Sequence, residues 1–323
     1  MFNKLLKNIY LLKKRNIGLG NNTRHGNLFV AQKYCDISIN TQIPGYWQHG
    51  FYVDPYYFPE DEIKYSKENN LKLYIWNNQV EKDLISRNFF NYKIIGAPIL
   101  YLKTEFKNTN TKSKLLYVPA HNLKQEKIKF QWETTLNYLG QLSQSGYEIT
   151  ILLYYLDFDE FISNKKLKIF CDENNIKIET LGFVHEAAFL SRLQSYYLNF
   201  DIIGSEILST SLVYGAFLGL RVFVGGPIKY QLLTTNANYF KKYINDINSL
   251  EKYLIGLNEY YKNLYPSLFV HPNDSTQQIS MGNEFLGYNY KLSKKEMRSE
   301  FGWSVTFVAL LKTYLKFKHR VKI

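Results

Sequence analysis

Between residues 71 and 226, short apolar runs alternate with stretches whose apolar residues recur every three or four positions. "LKLYIWN" (71–77) reads as a strand, "QVEKDLISRNF" (79–89) as a helix and "YKIIGAP" (92–98) as another strand. Ahead of them, "NLFVAQ" (27–32) and "GYWQHG" (45–50) read as strands, and the acid-led "FPEDEIKYSKENN" (58–70) as a helix. Acids early in a helix suit the positive end of its dipole. This rhythm predicts parallel strands joined by helical crossovers.

The rhythm breaks at "KTEFKNTNTKSK" (103–114), a polar, repetitive stretch without apolar periodicity that reads as a linker. It then restarts. Strands are expected in "KLLYVPAHN" (114–122), "YEITILLYYL" (147–156), "IKIETLGFV" (176–184), "FDIIGSE" (200–206) and "LRVFVGG" (220–226). Helices are expected at 130–144, 159–174, 185–197 and 209–218, and a long amphipathic one at 246–265. The near-continuous apolar run at 147–156 is what a strand buried on both faces requires. The expected organisation is therefore two Rossmann-like lobes, residues 1–105 and 113–290, with parallel sheets facing a cleft, followed by a basic helical segment, 291–323.

Length, composition and charge refine this picture. A chain of 323 residues is long for one compact core and suits two lobes. Two cysteines, Cys35 and Cys171, cannot build a disulfide framework, and no Cys/His cluster has zinc spacing. The net charge of +12 is unevenly placed. Residues 1–16 carry five bases and no acid, as do residues 306–323. Both segments repeat apolar residues at helical spacing: Phe2, Leu5, Ile9 and Leu12 in the first, Phe307, Leu310, Tyr314, Phe317 and Val321 in the second. Basic amphipathic helices of this kind lie on anionic bilayers, or pack on a protein body with their basic stems snorkelling. With the body between them nearly neutral, nucleic acid is not the expected partner. No apolar run approaches the roughly 20 residues that span a bilayer, and lysines interrupt any signal-peptide core. The expected location is the cytoplasm, at the inner face of the cytoplasmic membrane.

The densest run of chemistry is "ETLGFVHEAAFLSRLQSYYLNFDIIGSEILSTSLVYGAFLGLRVFVGGP" (179–227). Leu181-Gly182-Phe183-Val184, the strand end Asp201-Ile202-Ile203-Gly204-Ser205, and Gly219-Leu220-Arg221-Val222 follow one another in the order found in the nucleotide-sugar half of GT-B glycosyltransferases. With "QHG" and "IIGAP" earlier and "LLYVPAHN" at 115–122, residues 40–230 resemble glycosyltransferases of bacterial capsule and lipopolysaccharide O-antigen synthesis. The resemblance implies a GT-B-like fold with the acceptor held by the first lobe and the nucleotide-sugar donor by the second. It also implies no bound metal, because a helix terminus and basic groups hold the diphosphate.

On that resemblance Phe183 and Val184, His121 and Asn122, Ser209, Thr210 and Ser211, Gly225, Gly226 and Lys229 contact the donor. The physics agrees in part. Ser209–Ser211 open a helix whose free N–H groups and dipole suit phosphate, though the same residues make an ordinary cap. Glycines let a ligand approach the backbone. The glutamate that retaining members carry late in this helix is missing, and Tyr214 or Gly215 stands there. Asp157 and Asp159 of "LDFDEF" form a D-x-D pair, which at the start of a helix reads better as capping than as a metal site. His25, in a polar loop, and His185, at a helix start, have no evident partner, and His271-Pro272 reads as the end of the long helix.

One histidine in the first lobe lies beside a strand end: His49, in "PGYWQHGFYVDP" (44–55). It is the candidate base that takes the proton of an acceptor hydroxyl. The expected activity is sugar transfer to a lipid-linked surface glycan. A teichoic-acid-type polyol-phosphate transferase, a CMP-sugar-dependent transferase and a non-catalytic GT-B module in an assembly complex are the alternatives. P-loop, G-x-S-x-G and H-E-x-x-H motifs are missing, which removes the main support for kinase, hydrolase and metalloprotease chemistry.

Overall fold

A computed structural model describes residues 22–37, 41–52, 59–103, 114–122, 128–232 and 247–303. The basic segments 1–16 and 306–323 and most of the expected linker lie outside the described residues.

The first half holds a three-stranded parallel sheet. Its strands are β1 (Gly45–Trp47), β2 (Lys72–Ile75) and β3 (Tyr92–Ile94), paired in that order. Helix α1 (Asn27–Tyr34) precedes them, α2 (Glu60–Glu68) crosses from β1 to β2, and α3 (Asn78–Ser86) from β2 to β3. Asn77 caps α3 by accepting the N–H groups of Gln79 and Val80. The strand expected at 27–32 is α1 instead. Gly26, in the left-handed region at φ 75°, turns the chain into it, and Leu28, Val30 and Ala31 are buried on its inner side.

The second half holds β4 (Lys114–Tyr117), β5 (Ile128–Phe130), α4 (Trp132–Gln144) and β6 (Glu148–Leu153). Then come α5 (Tyr155–Ser163), α6 (Lys165–Glu173), β7 (Lys177–Thr180), α7 (Phe189–Tyr197) and β8 (Ile202–Ser205). Helix α8 (Thr210–Phe217), β9 (Arg221–Val224), β10 (Tyr230–Leu232) and α9 (Ile247–Leu264) follow. Last are β11 (Thr276–Gln277), α10 (Ile279–Leu286) and α11 (Lys294–Glu300). The single helix expected at 159–174 is two, because the Asn164 side chain accepts the N–H groups of Lys166 and Leu167 and starts α6 anew. The main sheet runs β11-β9-β8-β4-β6-β7, and only β11 is antiparallel. Numbered along the chain, its parallel strands lie in the order 3-2-1-4-5, a doubly wound, Rossmann-like arrangement that reverses direction between β4 and β8. Strands β5 and β10 form a separate antiparallel pair.

One apolar core runs through both sheets, from Trp47 and Trp76 to Leu116, Tyr214, Phe217 and Trp303. The halves are also bonded directly. Ala97 N–H donates to the Leu286 carbonyl (2.8 Å), the Asn77 side chain to the Phe285 carbonyl (2.6 Å), and Trp76 stacks on Tyr214. Gly287 sits at this junction with φ 70°, where a Cβ would run into the Trp76 carbonyl. After α10 the chain returns to the small sheet. Glu300 of α11 pairs with Lys72 (2.7 Å) and Lys93 (2.6 Å), and the Trp303 indole donates to the Gln42 carbonyl (3.0 Å).

Candidate functional site

In open α/β sheets ligands sit beyond the carboxyl ends of the strands, at the point where strand order reverses. The loops that leave these ends here are 48–52 after β1, 118–122 after β4, 154–155 after β6, 181–188 after β7 and 206–209 after β8. They meet. The Phe51 N–H donates to the Thr210 hydroxyl (2.8 Å), and Gly50 packs beside the same oxygen. The first-half loop thus rests on the opening of α8.

Within that loop, Gln48 and Gly50 are buried on either side of His49. Trp47 and Phe51 are buried in the core, while His49 between them is partly exposed. Tyr46 Oη lies 2.7 Å from His49 Nδ1, and Glu62 of α2 lies 3.6 Å from the same nitrogen. Glu62 also accepts the Tyr52 hydroxyl at 3.0 Å. Among the described residues no hydrogen bond is made to the opposite ring nitrogen, Nε2. Burial first, and the Arg24 guanidinium second, push the His49 pKa down to about 3. His49 is neutral at physiological pH.

His25 and His185, read from the sequence as unpartnered, belong to the same cluster. His25 Nδ1 lies 2.8 Å from the His49 carbonyl oxygen and must carry the proton of that bond. Its ring stacks on Phe189. His185 Nδ1 lies 3.2 Å from the Thr23 hydroxyl, and Phe183 packs on its ring. Burial lowers the His25 pKa to about 4, with Arg24 also opposing its charge. Burial, then Arg24, lowers that of His185. From there a strip of rings crosses the strand ends: Phe183 on Tyr155 (5.4 Å), Tyr155 on Tyr154 (4.7 Å), Tyr154 on His121 (4.9 Å). Phe183 is 48% exposed, whereas Val184 is core.

The residues proposed for the donor are thus divided. His121 is exposed on the ring strip, its Nδ1 2.9 Å from the Asn122 carbonyl. Asn122 is buried and tied up: its side chain accepts the Phe130 N–H (2.7 Å) and its own N–H donates to Asp157 (3.0 Å). Asp157 therefore holds the loop after β4, rather than acting as the helix cap it resembles in sequence. Ser209 caps α8 through the Leu212 N–H, Thr210 is occupied by Phe51, and Ser211 lies beside the buried Tyr197 hydroxyl. Gly225 and Gly226 approach the hydroxyls of Tyr138 and Tyr117, which a Cβ would crowd. Lys229 pairs with Glu251 at 3.0 Å, so its charge is already neutralised.

Glu206 was not among the sequence candidates. It follows β8 directly, and its buried carboxylate crosses the reversal point to accept the Ala120 N–H and the Thr135 hydroxyl (both 3.1 Å), beside the Tyr117 hydroxyl, which donates to the Gly225 carbonyl (2.8 Å). Burial raises its pKa to about 7 despite those donors. The one sequence signal for it is an acid immediately after an apolar strand.

Among the described residues no group of three His, Cys, Asp or Glu side chains is arranged to hold a metal ion, and no helix is long and apolar enough to cross a membrane. The chain matches no protein-family model and none of the curated proteins it was compared with.

Proposed function

We propose that the protein is a GT-B-type glycosyltransferase that moves a sugar from a nucleotide-sugar to a lipid-linked surface-glycan acceptor. One observation carries the reading: histidines and hydroxyls from both halves gather beyond the carboxyl ends of the parallel strands, where the loop after β1 rests on the opening of α8 and neighbours the loop after β7. Nothing in that arrangement is specific to sugars; the substrate class comes from the resemblance of residues 40–230.

In this reading the acceptor hydroxyl gives its proton to His49 Nε2, while Tyr46 fixes the ring through Nδ1. The first backbone N–H groups of α8, at the positive end of its dipole, stabilise the departing phosphate. With the Thr210 oxygen already occupied, Ser211 and these amides are what α8 offers. The basic segments 1–16 and 306–323 hold the enzyme at an anionic membrane surface, where a lipid-linked acceptor resides.

The test is nucleotide release from a panel of nucleotide-sugars with membrane-extracted acceptor lipids. Wild type is expected to release a nucleoside diphosphate. His49→Ala should turn over about 100-fold or more slowly, and Ser211→Ala should be slowed less. Full activity in both variants would remove the assigned roles. A nucleoside monophosphate product would instead mark polyol-phosphate or CMP-sugar chemistry. For the membrane, unchanged binding to anionic vesicles after deletion of 306–323 would show that this segment is not the anchor.

A further inference from the structure

Arg24 lies between Thr23, whose hydroxyl is 3.2 Å from His185 Nδ1, and His25, whose Nδ1 is 2.8 Å from the His49 carbonyl oxygen. Its guanidinium reaches the Tyr154 hydroxyl, and among the described residues no carboxylate pairs with it. The acids closest to the cluster are engaged elsewhere: Glu62 with Tyr52 and His49, Glu186 with Arg192 at 2.8 Å. Arg24 acts on His25, His49 and His185 alike. All four side chains are partly exposed, and they come from three loops that are remote in sequence. A guanidinium beside imidazoles and the hydroxyls of Thr23 and Tyr154 offers the donors that bind an anion.

We propose that Arg24 and His185 bind a phosphoryl group of the ligand beside His49, with Tyr154 and Phe183 forming the wall against which the rest of it lies. The site does not depend on which reaction follows. It adds a second phosphoryl contact, in the segment before α1, to the one proposed at the opening of α8.

Filling the site changes the histidines. Among the described residues they face Arg24, each other, Tyr46 and Tyr52; Glu62 lies 3.6 Å from His49, and Glu186, next to His185, pairs with Arg192. A dianion screens Arg24 and attracts protons from solvent onto the imidazoles. Their protonation equilibria then move up, and binding tightens as pH falls. For His49 this restores basicity that burial had removed.

Calorimetry on the full chain tests the site, with sulfate as the probe because its charge does not change over the range used. Wild-type affinity is expected to rise about tenfold per pH unit for each proton taken up as pH falls from about 8 to about 5. Arg24→Gln should weaken binding at least about tenfold, while Arg24→Lys, which keeps the charge, loses less. His185→Asn should flatten the pH dependence. Equal melting temperatures of the ligand-free proteins show that the losses are local. Repeating the comparison with UDP, CMP and dodecyl phosphate identifies the source: the probe weakened by Arg24→Gln carries the phosphoryl group that belongs here. Sulfate, UDP, CMP and dodecyl phosphate binding Arg24→Gln as tightly as wild type would overturn the proposal, as would failure of all four to bind wild type.

Discussion

Two polar clusters lie at the carboxyl ends of the strands, and burial acts on both. In one, Glu206 is sealed in and accepts a backbone N–H and the Thr135 hydroxyl. In the other, Arg24 and three histidines are half open, and the guanidinium has no carboxylate among the described residues. Burial moves each titratable group towards its neutral form, so Glu206 rises to about 7 while His49 falls to about 3. The difference is satisfaction. Glu206 takes its donors from the protein itself, which is how a buried carboxylate holds loops together. In the histidine cluster the Arg24 guanidinium has no carboxylate among the described residues to take up its N–H groups, which is how a ligand site differs from a brace.

Breaking the sealed cluster should cost the most stability. Glu206→Leu leaves the Ala120 N–H and the Thr135 hydroxyl without their acceptor. At 1–3 kcal/mol for each buried orphan, roughly 2 kcal/mol or more should be lost in urea unfolding. A subtler change sharpens the contrast. With a folded pKa raised from 4.5 to about 7, Glu206 contributes stability that is full below pH 4.5 and lost as pH rises through 7. Glu206→Gln does not titrate, so the stability of wild type relative to this variant should decline across that window, by about 3 kcal/mol at most. The histidines carry the opposite sign, since their lowered values make wild type lose stability as pH falls through 6.5 towards 4. Next in size, Thr210→Val strips the Phe51 N–H of its partner and should cost about 1 kcal/mol. Smallest of all, Lys229→Ala breaks a half-exposed ion pair and should shift stability by about 0.5 kcal/mol or less. If Lys229→Ala abolishes nucleotide binding in calorimetry, the donor phosphate lies there after all.

Much of the fold was legible because it is written locally. The continuous apolar runs of β6 and β8 and the Ser209 cap of α8 are where sequence placed them. Where the reading failed, the deciding contact was hidden. Leu28-Phe29-Val30-Ala31 is too short a run for its period to separate helix from strand, and what settles it is burial of α1 against the rest of the core. Asn164 was readable as a cap, but the polar periodicity on both sides masked it. The site was less legible. His49 was found from its strand end, but the partner of His25 lies 24 residues away and that of His185 162 residues away. Lys229 looked available because Glu251 is equally remote in sequence. No pattern along the chain brings such pairs together; the sheet order does.

The account rests on the histidine cluster being held neutral by burial and an uncompensated arginine. Imidazole ¹H–¹⁵N spectra of the full chain, recorded from about pH 8 down to pH 4 with and without phosphate, test it most directly. The account predicts that His49 and His25 stay neutral to below pH 5 without ligand, and that their titration moves upward when phosphate binds or when Arg24 is replaced by Gln. An ordinary midpoint near 6.5 for His49, unmoved by phosphate and by the loss of Arg24, would contradict it.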